Sequence, residues 1–100
     1  MIRHVVMWKF GAQDDAGKAA AYEAVRGALE PLAHLEGIRS LSVIRNTEDV
    51  DGNSDAVLIG DYESRDALDA YLVHPEHVAA VAIVRSHTVA RAAIDFSLVE

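Results

Sequence analysis

Seven residues, Tyr71 to His77, hold the densest proton chemistry in the chain: one phenol and two imidazoles, with Pro75 between the imidazoles. A histidine titrates near neutrality and a tyrosine hydroxyl can donate or accept. Tyr71 and His77 together could therefore move a proton to or from a carbon acid or an enol. Proline tolerates the first turn of a helix and disfavours α conformation in the residue before it. His74 is expected to cap a helix that starts at Pro75, and Tyr71 to end the helix before it. The two proton-handling side chains then flank a fixed bend. Spacing alone favours the plainer alternative, in which Tyr71 packs between helices and the histidine only caps.

His4 stands alone on an otherwise apolar strand face, where a hydrogen-bonded core histidine is the commoner outcome than a catalyst. Asp95 has the same type of position near the end of the last strand, and adjacent strands would bring the two together. A buried carboxylate needs such a partner, because an unpaired charge in a core is very costly. A His4–Asp95 pair satisfies the core whether or not it also tunes chemistry.

Other chemistries find little support. His74 and His77 could share a metal, but His34 and His87 are distant in sequence, cysteine is absent, and zinc sites want three or four ligands. The run Asp49 to Asp55 is a poor calcium loop: its glycine is misplaced and Gly60 stands where a glutamate should close it. It reads as a solvated hairpin loop. No glycine-rich phosphate loop follows a strand, and no Gly-x-Ser-x-Gly elbow is present. Neither a metal nor a cofactor is expected.

The elements that position these residues follow from periodicity. Ile2 to Phe10 alternates as a strand, with Ile2, His4, Val6, Trp8 and Phe10 on one face and Arg3, Val5, Met7 and Lys9 on the other. After a polar turn, with Asp14 or Asp15 as a cap, Tyr22, Val25, Leu29 and Leu32 keep helical spacing. Pro31 should bend this helix, and a final turn should run through Leu35 to a stop at Gly37. Ile38–Arg45 and Ala56–Tyr62 read as strands joined by the acidic loop Asn46–Asp55. Ser64 should cap a helix through Leu72 that buries Ala67, Leu68, Tyr71 and Leu72. The helix from Pro75 should reach about Val84, with Val78, Val81 and Ala82 facing the core. The last strand, Val89 to Leu98, should carry Ile94 and Phe96 on one face and Arg91, Ala93 and Asp95 on the other.

The order β-α-β-β-α-β is the ferredoxin-like plan: an α+β protomer with one antiparallel sheet and the helices on one of its faces. Apolar residues on both faces of the strands leave the second face in need of cover. A homodimer joined sheet to sheet supplies it.

At 100 residues the chain is a single domain, and 51% hydrophobic residues suffice for a core. A formal charge of −7 argues against nucleic acid and anionic membrane surfaces. No apolar run approaches the roughly 20 residues of a membrane span. The first residues enter a strand pattern directly, without room for a signal peptide, and the absence of cysteine suits a reducing cytoplasm. The expected partners are a small molecule and a second copy of the chain.

Three segments together resemble the stress-responsive dimeric α/β-barrel (Dabb) family. They are Ile2–Phe10, the stretch Tyr71-x-x-His74-Pro75-x-His77-Val78, and the closing Ile94-Asp95-Phe96. The resemblance runs over nearly the whole chain and implies ferredoxin-like protomers whose sheets close into a dimeric barrel. The family includes plant stress proteins, many bacterial proteins and olivetolic acid cyclase-like polyketide cyclases. By that likeness His77 would take a proton to form an enolate and Tyr71 would position or polarise a carbonyl, with His4 and Asp95 beside them and no cofactor. Trp8, Tyr22 and Val81 are expected to line the apolar pocket for a small hydrophobic or aromatic carbonyl compound. Some relatives hold a cation on backbone carbonyls, here around Leu32, Leu35 and Ile38, a site without a sequence signature. The alanine-rich first helix (Ala19, Ala20, Ala21, Ala24) departs from the plant cyclase, so its polyketide substrate is not carried over. Two classes remain: a cofactor-free acid–base enzyme of cyclase or lyase type, and a non-catalytic ligand-binding or stress-response protein with a structural Tyr/His cluster.

Overall fold

A computed structural model describes residues 1–99 of the chain. The strands are β1 (Ile2–Phe10), β2 (Ile38–Arg45), β3 (Ala56–Tyr62) and β4 (Thr88–Ser97); the helices are α1 (Asp15–Leu29), α2 (Arg65–Val73) and α3 (Pro75–His87). The sheet is antiparallel in the order β2-β3-β1-β4, which puts β1 at the centre and β4 at an edge. This is the ferredoxin-like architecture, with a single helix layer on one face of the sheet.

Alternation along β1 decides which residues enter the core. His4, Val6, Trp8 and Phe10 point to the helices and are buried, while Met7 and Lys9 on the other face are exposed. On the helix side they meet Ala21, Val25 and Leu29 of α1, Leu68 and Tyr71 of α2, and Ala80 and Val84 of α3. The opposite face carries Val5, Met7, Ile44, Ile94 and Phe96, and Ile94 keeps 60% of its surface exposed.

Local signals set the boundaries. Asp14 caps α1 by accepting from the Gly17 amide at 2.9 Å, and Ser64 caps α2 by accepting from the Ala67 amide at 3.1 Å. Pro31 does more than bend α1. The α-helix ends at Leu29 and the chain tightens into a 3-10 helix over Glu30–His34, with Pro31 in its first turn, where a missing amide proton is harmless. Gly37 then turns the chain at φ +85°, a conformation glycine adopts freely.

Two expectations about the last helices are corrected. The helix before the bend ends at Val73, not at Tyr71 or Leu72, and α3 continues to His87 and enters β4 directly. Val78, Val81 and Ala82 do not face the core: Val78 is 58% exposed, and Ala80 and Val84, one turn apart, make the buried contact instead. α3 leaves α2 at a bend of 67°, and on this course the face with Ala80 and Val84 is the one that packs inward. Among the described residues no single helix is long and apolar enough to cross a membrane.

The left-handed turn at Gly37 gives a test of this packing. A Cβ there would lie 2.6 Å from the Ala67 Cβ, where α2 crosses the turn. Gly37→Ala should cost about 1–3 kcal/mol from strain and overpacking. The loss is read as a lower urea midpoint with an unchanged slope.

Candidate functional site

The helix layer covers β2, β3 and β1 but leaves the inner side of β4 open. The resulting cavity, about 830 Å3, lies between β1, β4 and α3. Its floor is His4, Val6 and Trp8 of β1, its wall is His77, Val78, Val81, Ala82, Val84 and Arg85 of α3, and Thr88 to Arg91 form its β4 side. Leu29 and Leu72 complete it. Val78, Val81 and Ala82, which do not reach the core, are thus part of the cavity wall.

His74 and Pro75 aim the start of α3. His74 has extended backbone (φ −64°, ψ 136°), and its Nδ1 accepts from the Glu76 amide at 3.1 Å. It closes α2 and caps α3, with Pro75 in the first turn as expected. One turn on, His77 is half-buried, and its Nδ1 lies 3.1 Å from the Leu72 carbonyl. A carbonyl can only accept, so Nδ1–H donates and Nε2 keeps a free lone pair. Burial pushes the pKa of His77 below the ordinary 6.5, against the Leu72 bond, and the charges of His4 and Arg91 push the same way. A neutral imidazole with one nitrogen open is the form a general base needs.

His4 is 5% exposed, and its Nδ1 stands 2.5 Å from Asp95 Oδ1, across the register pair His4↔Asp95. The other Asp95 oxygen accepts from Arg65 at 3.0 Å, and Arg65 also meets Asp69 at 3.0 Å. The carboxylate fixes the tautomer and plane of His4 and leaves its Nε2 free as well. The bond to His4, followed by Arg65, holds the Asp95 carboxyl below the usual carboxylate range against a smaller opposing effect of burial.

An aromatic stack joins the two imidazoles. The His77 ring is 4.3 Å from that of Tyr71, Tyr71 is 5.1 Å from Tyr62, and Tyr62 meets His4 edge-on at 6.2 Å. Both phenol oxygens are buried and neither completes a hydrogen bond to the described residues, although each perturbs the other's ionisation. Burial raises both hydroxyl pKa values above 10.

The residues singled out from the sequence thus separate into two groups. His77, His4, Trp8 and Val81 line the cavity; Tyr71 lies behind His77 and does not reach it. Tyr22 lies elsewhere: its hydroxyl donates to the Val43 carbonyl at 3.0 Å, which draws it along α1 toward β2. Tyr62, Arg85 and Arg91 were not foreseen. Arg91 was legible as an inward position of β4 alongside Asp95, but not its place opposite Trp8.

A second hollow, about 1070 Å3, lies between the Asn46–Asp55 loop and the start of α1. Its walls are polar and it contains no histidine. Asp55 is already committed, accepting from the Phe10 amide at 2.8 Å and pairing with Lys18 at 3.2 Å. No group of three or more metal-ligating side chains occurs among the described residues. The carbonyls of Leu32 and Leu35 accept from the amides of Leu35 and Ile38 at 3.0 and 3.3 Å.

A family model described as the stress responsive A/B barrel domain (Dabb) matches residues 2–98. No curated protein matches the chain. Among solved structures, a dimeric protein of unknown function with a ferredoxin-like fold from Bacteroides fragilis is 25% identical, with a TM-score of 0.85 over 97% of this chain and 95% of that one. A dimeric ferredoxin-like protein of unknown function from Thermobifida fusca is 24% identical, with a TM-score of 0.77 over 97% and 90%. A Dabb-family protein from Mesorhizobium loti is 18% identical, with a TM-score of 0.75 over 99% and 97%.

Two titrations check the site. His77 should titrate below 6.5 by NMR, neutral at pH 7. Asp95 has a lowered folded pKa, so its contribution is fully present above the unfolded value near 3.8 and lost as pH falls through the folded one. The stability gap between wild type and Asp95→Asn should therefore be flat near neutrality and narrow on acidification below about pH 4. A gap that widens with acid would contradict the assignment.

Proposed function

The chain belongs to the stress-responsive A/B barrel (Dabb) family, and from that premise we propose that it is a homodimer that binds a small hydrophobic or aromatic carbonyl compound and enolises it without a cofactor. The observation that carries this reading is His77: a base of depressed pKa, with one nitrogen tied to Leu72 and the other free, on the wall of a cavity floored by Val6 and Trp8. In the step we assign to it, Nε2 takes a proton from the carbon beside the carbonyl. The C–H pair becomes the enolate double bond and the carbonyl pair moves to oxygen. The proton taken up by His77 is returned to the enolate oxygen by way of His4, whose ring Asp95 holds in place. The chain itself supplies both proton-handling groups. Tyr71 serves as a positioning residue, since its ring fixes the plane of His77 from behind.

The dimer rests on the sheet. Met7, Ile44, Ile94 and Phe96 expose a contiguous apolar face, and a second copy is the occupant that a self-complementary face fits. The B. fragilis and T. fusca structures are described as dimeric. In this reading the protein works in the cytoplasm, a reducing compartment that a cysteine-free composition suits.

A second reading is a non-catalytic ligand-binding or stress-response protein. It is favoured by the burial of Tyr71, whose hydroxyl has no path to the cavity. Solvent deuterium exchange into the α-carbon of an aryl β-diketone separates the two. Wild type should accelerate the exchange, and His77→Gln should lower the rate about a hundredfold or more. Binding without accelerated exchange would leave the second reading standing. For the assembly, Ile94→Asp should convert a dimer to a monomer in sedimentation velocity; a wild-type monomer would remove the dimer from the proposal.

A further inference from the structure

The chain carries nine basic residues against sixteen acids, so most of its cations should find a carboxylate. Arg3 pairs with Asp61, Arg26 with Glu30, Arg39 with Glu63, Arg65 with Asp69 and Asp95, and Lys18 with Asp55. Lys9, Arg45, Arg85 and Arg91 have no ion-pair partner among the described residues; of these four, Arg85 and Arg91 line the cavity of His77 and His4. No aspartate or glutamate lines that cavity. Asp95, behind His4, has one oxygen on His4 and the other on Arg65.

An exposed arginine is ordinarily content in water, its stem lying on apolar surface. Arg91 differs in its place. It sits on the inner face of β4, directly opposite Trp8, so its guanidinium shares a mouth with the apolar floor. Arg85 comes to the same mouth from α3. A guanidinium presents a planar fork of donors that matches a carboxylate, and such charge-assisted pairs are the strong ones.

We propose that the cavity takes an amphipathic carboxylate, with an aromatic or branched apolar body against Val6, Trp8 and Val81 and its carboxylate on Arg91 with Arg85. The proposal rests on the reading of the cavity as a ligand site and names the ligand's charge. The chain's net charge of −7 repels anions at long range, so a preference for one must arise locally, at these two side chains. Binding would also feed back on the base. The positive charge of Arg91 is one of the influences that depress His77, and a carboxylate seated on Arg91 cancels it. His77 then binds protons more tightly, closer to neutrality, where general-base catalysis is most effective. An acid group on the ligand would thus help to activate the residue that acts on it.

Matched probes test this: 1-naphthoate and neutral 1-naphthamide, with affinities measured by calorimetry at low salt, on the full chain. Wild type should bind the acid about tenfold more tightly than the amide. Arg91→Gln should reduce that preference to about twofold, by weakening the acid more than the amide. Naphthoate should also raise the NMR titration midpoint of His77 in wild type but not in Arg91→Gln, a readout that a purely structural arginine would not move. Equal binding of acid and amide by wild type would overturn the inference and leave the ligand site in place. So would a preference that survives in the double variant Arg85→Gln/Arg91→Gln. Binding of neither probe would overturn the ligand site and the inference together.

Discussion

The antiparallel pairing of β1 with β4 sets most of what the molecule can do. Eight consecutive residues of β1, from Ile2 to Lys9, meet β4 in unbroken register, and the side chains of each pair share a face. His4 is thereby fixed beside Asp95, and Trp8 beside Arg91. A slip of one residue would reverse every side chain of β4. Asp95 and Arg91 would move to the apolar outer face, while Ile94 would enter the cavity. The cost of leaving His4 without its carboxylate and of exposing Ile94 to the helix layer differently makes that slip unfavourable at both faces. One register therefore specifies the dyad, the cavity floor and the apolar outer face at once.

The same strand pair explains why the cavity is where it is. β4 is an edge strand, and none of its residues joins the buried core that the helices share with β1, β2 and β3. The inner face of β4 is left without a helix on it, so Arg91, Ala93 and Asp95 remain solvent-accessible. Polar groups can persist there without the penalty of full burial. An apolar floor from β1, a helix wall from α3 and an accessible polar edge from β4 then converge. That combination suits an amphipathic molecule better than a wholly apolar one.

Much of this was legible in the sequence, for an identifiable reason. Strand alternation at Ile2–Phe10 and β4, the caps Asp14 and Ser64, and the His74–Pro75 break are local signals, and local geometry obeyed them. The pairing of His4 with Asp95 was legible because a buried histidine and an inward aspartate each need a partner. What failed was orientation about an axis. Hydrophobic spacing in α3 fits two faces, because Val78, Val81 and Ala82 are as apolar as Ala80 and Val84, and only tertiary packing chooses between them. Tyr22 failed for a related reason, drawn toward β2 by the Val43 carbonyl, a bond with no sequence signature. The unpaired state of Arg85 and Arg91 was beyond the sequence in principle, since it depends on where every carboxylate ends up.

Tyr71 shows how packing divides labour within one motif. A phenol whose hydroxyl is buried, with its pKa raised, is a poor proton donor to a ligand it cannot touch. Its ring, however, lies 4.3 Å from the His77 ring and removes one side of that imidazole from water. Desolvation is the largest influence lowering the pKa of His77, so the tyrosine contributes to the base by excluding solvent rather than by sharing a proton. Tyr62 extends the stack to His4, so the two imidazoles are held by one continuous aromatic wall. Gly60 makes room for it: a Cβ there would fall 2.8 Å from the Tyr62 ring and 2.9 Å from its hydroxyl. A glycine in mid-strand ordinarily weakens a sheet. Here its bare backbone leaves room for the Tyr62 ring to meet His4 edge-on, and the aromatic wall behind the two histidines depends on that absence of a side chain.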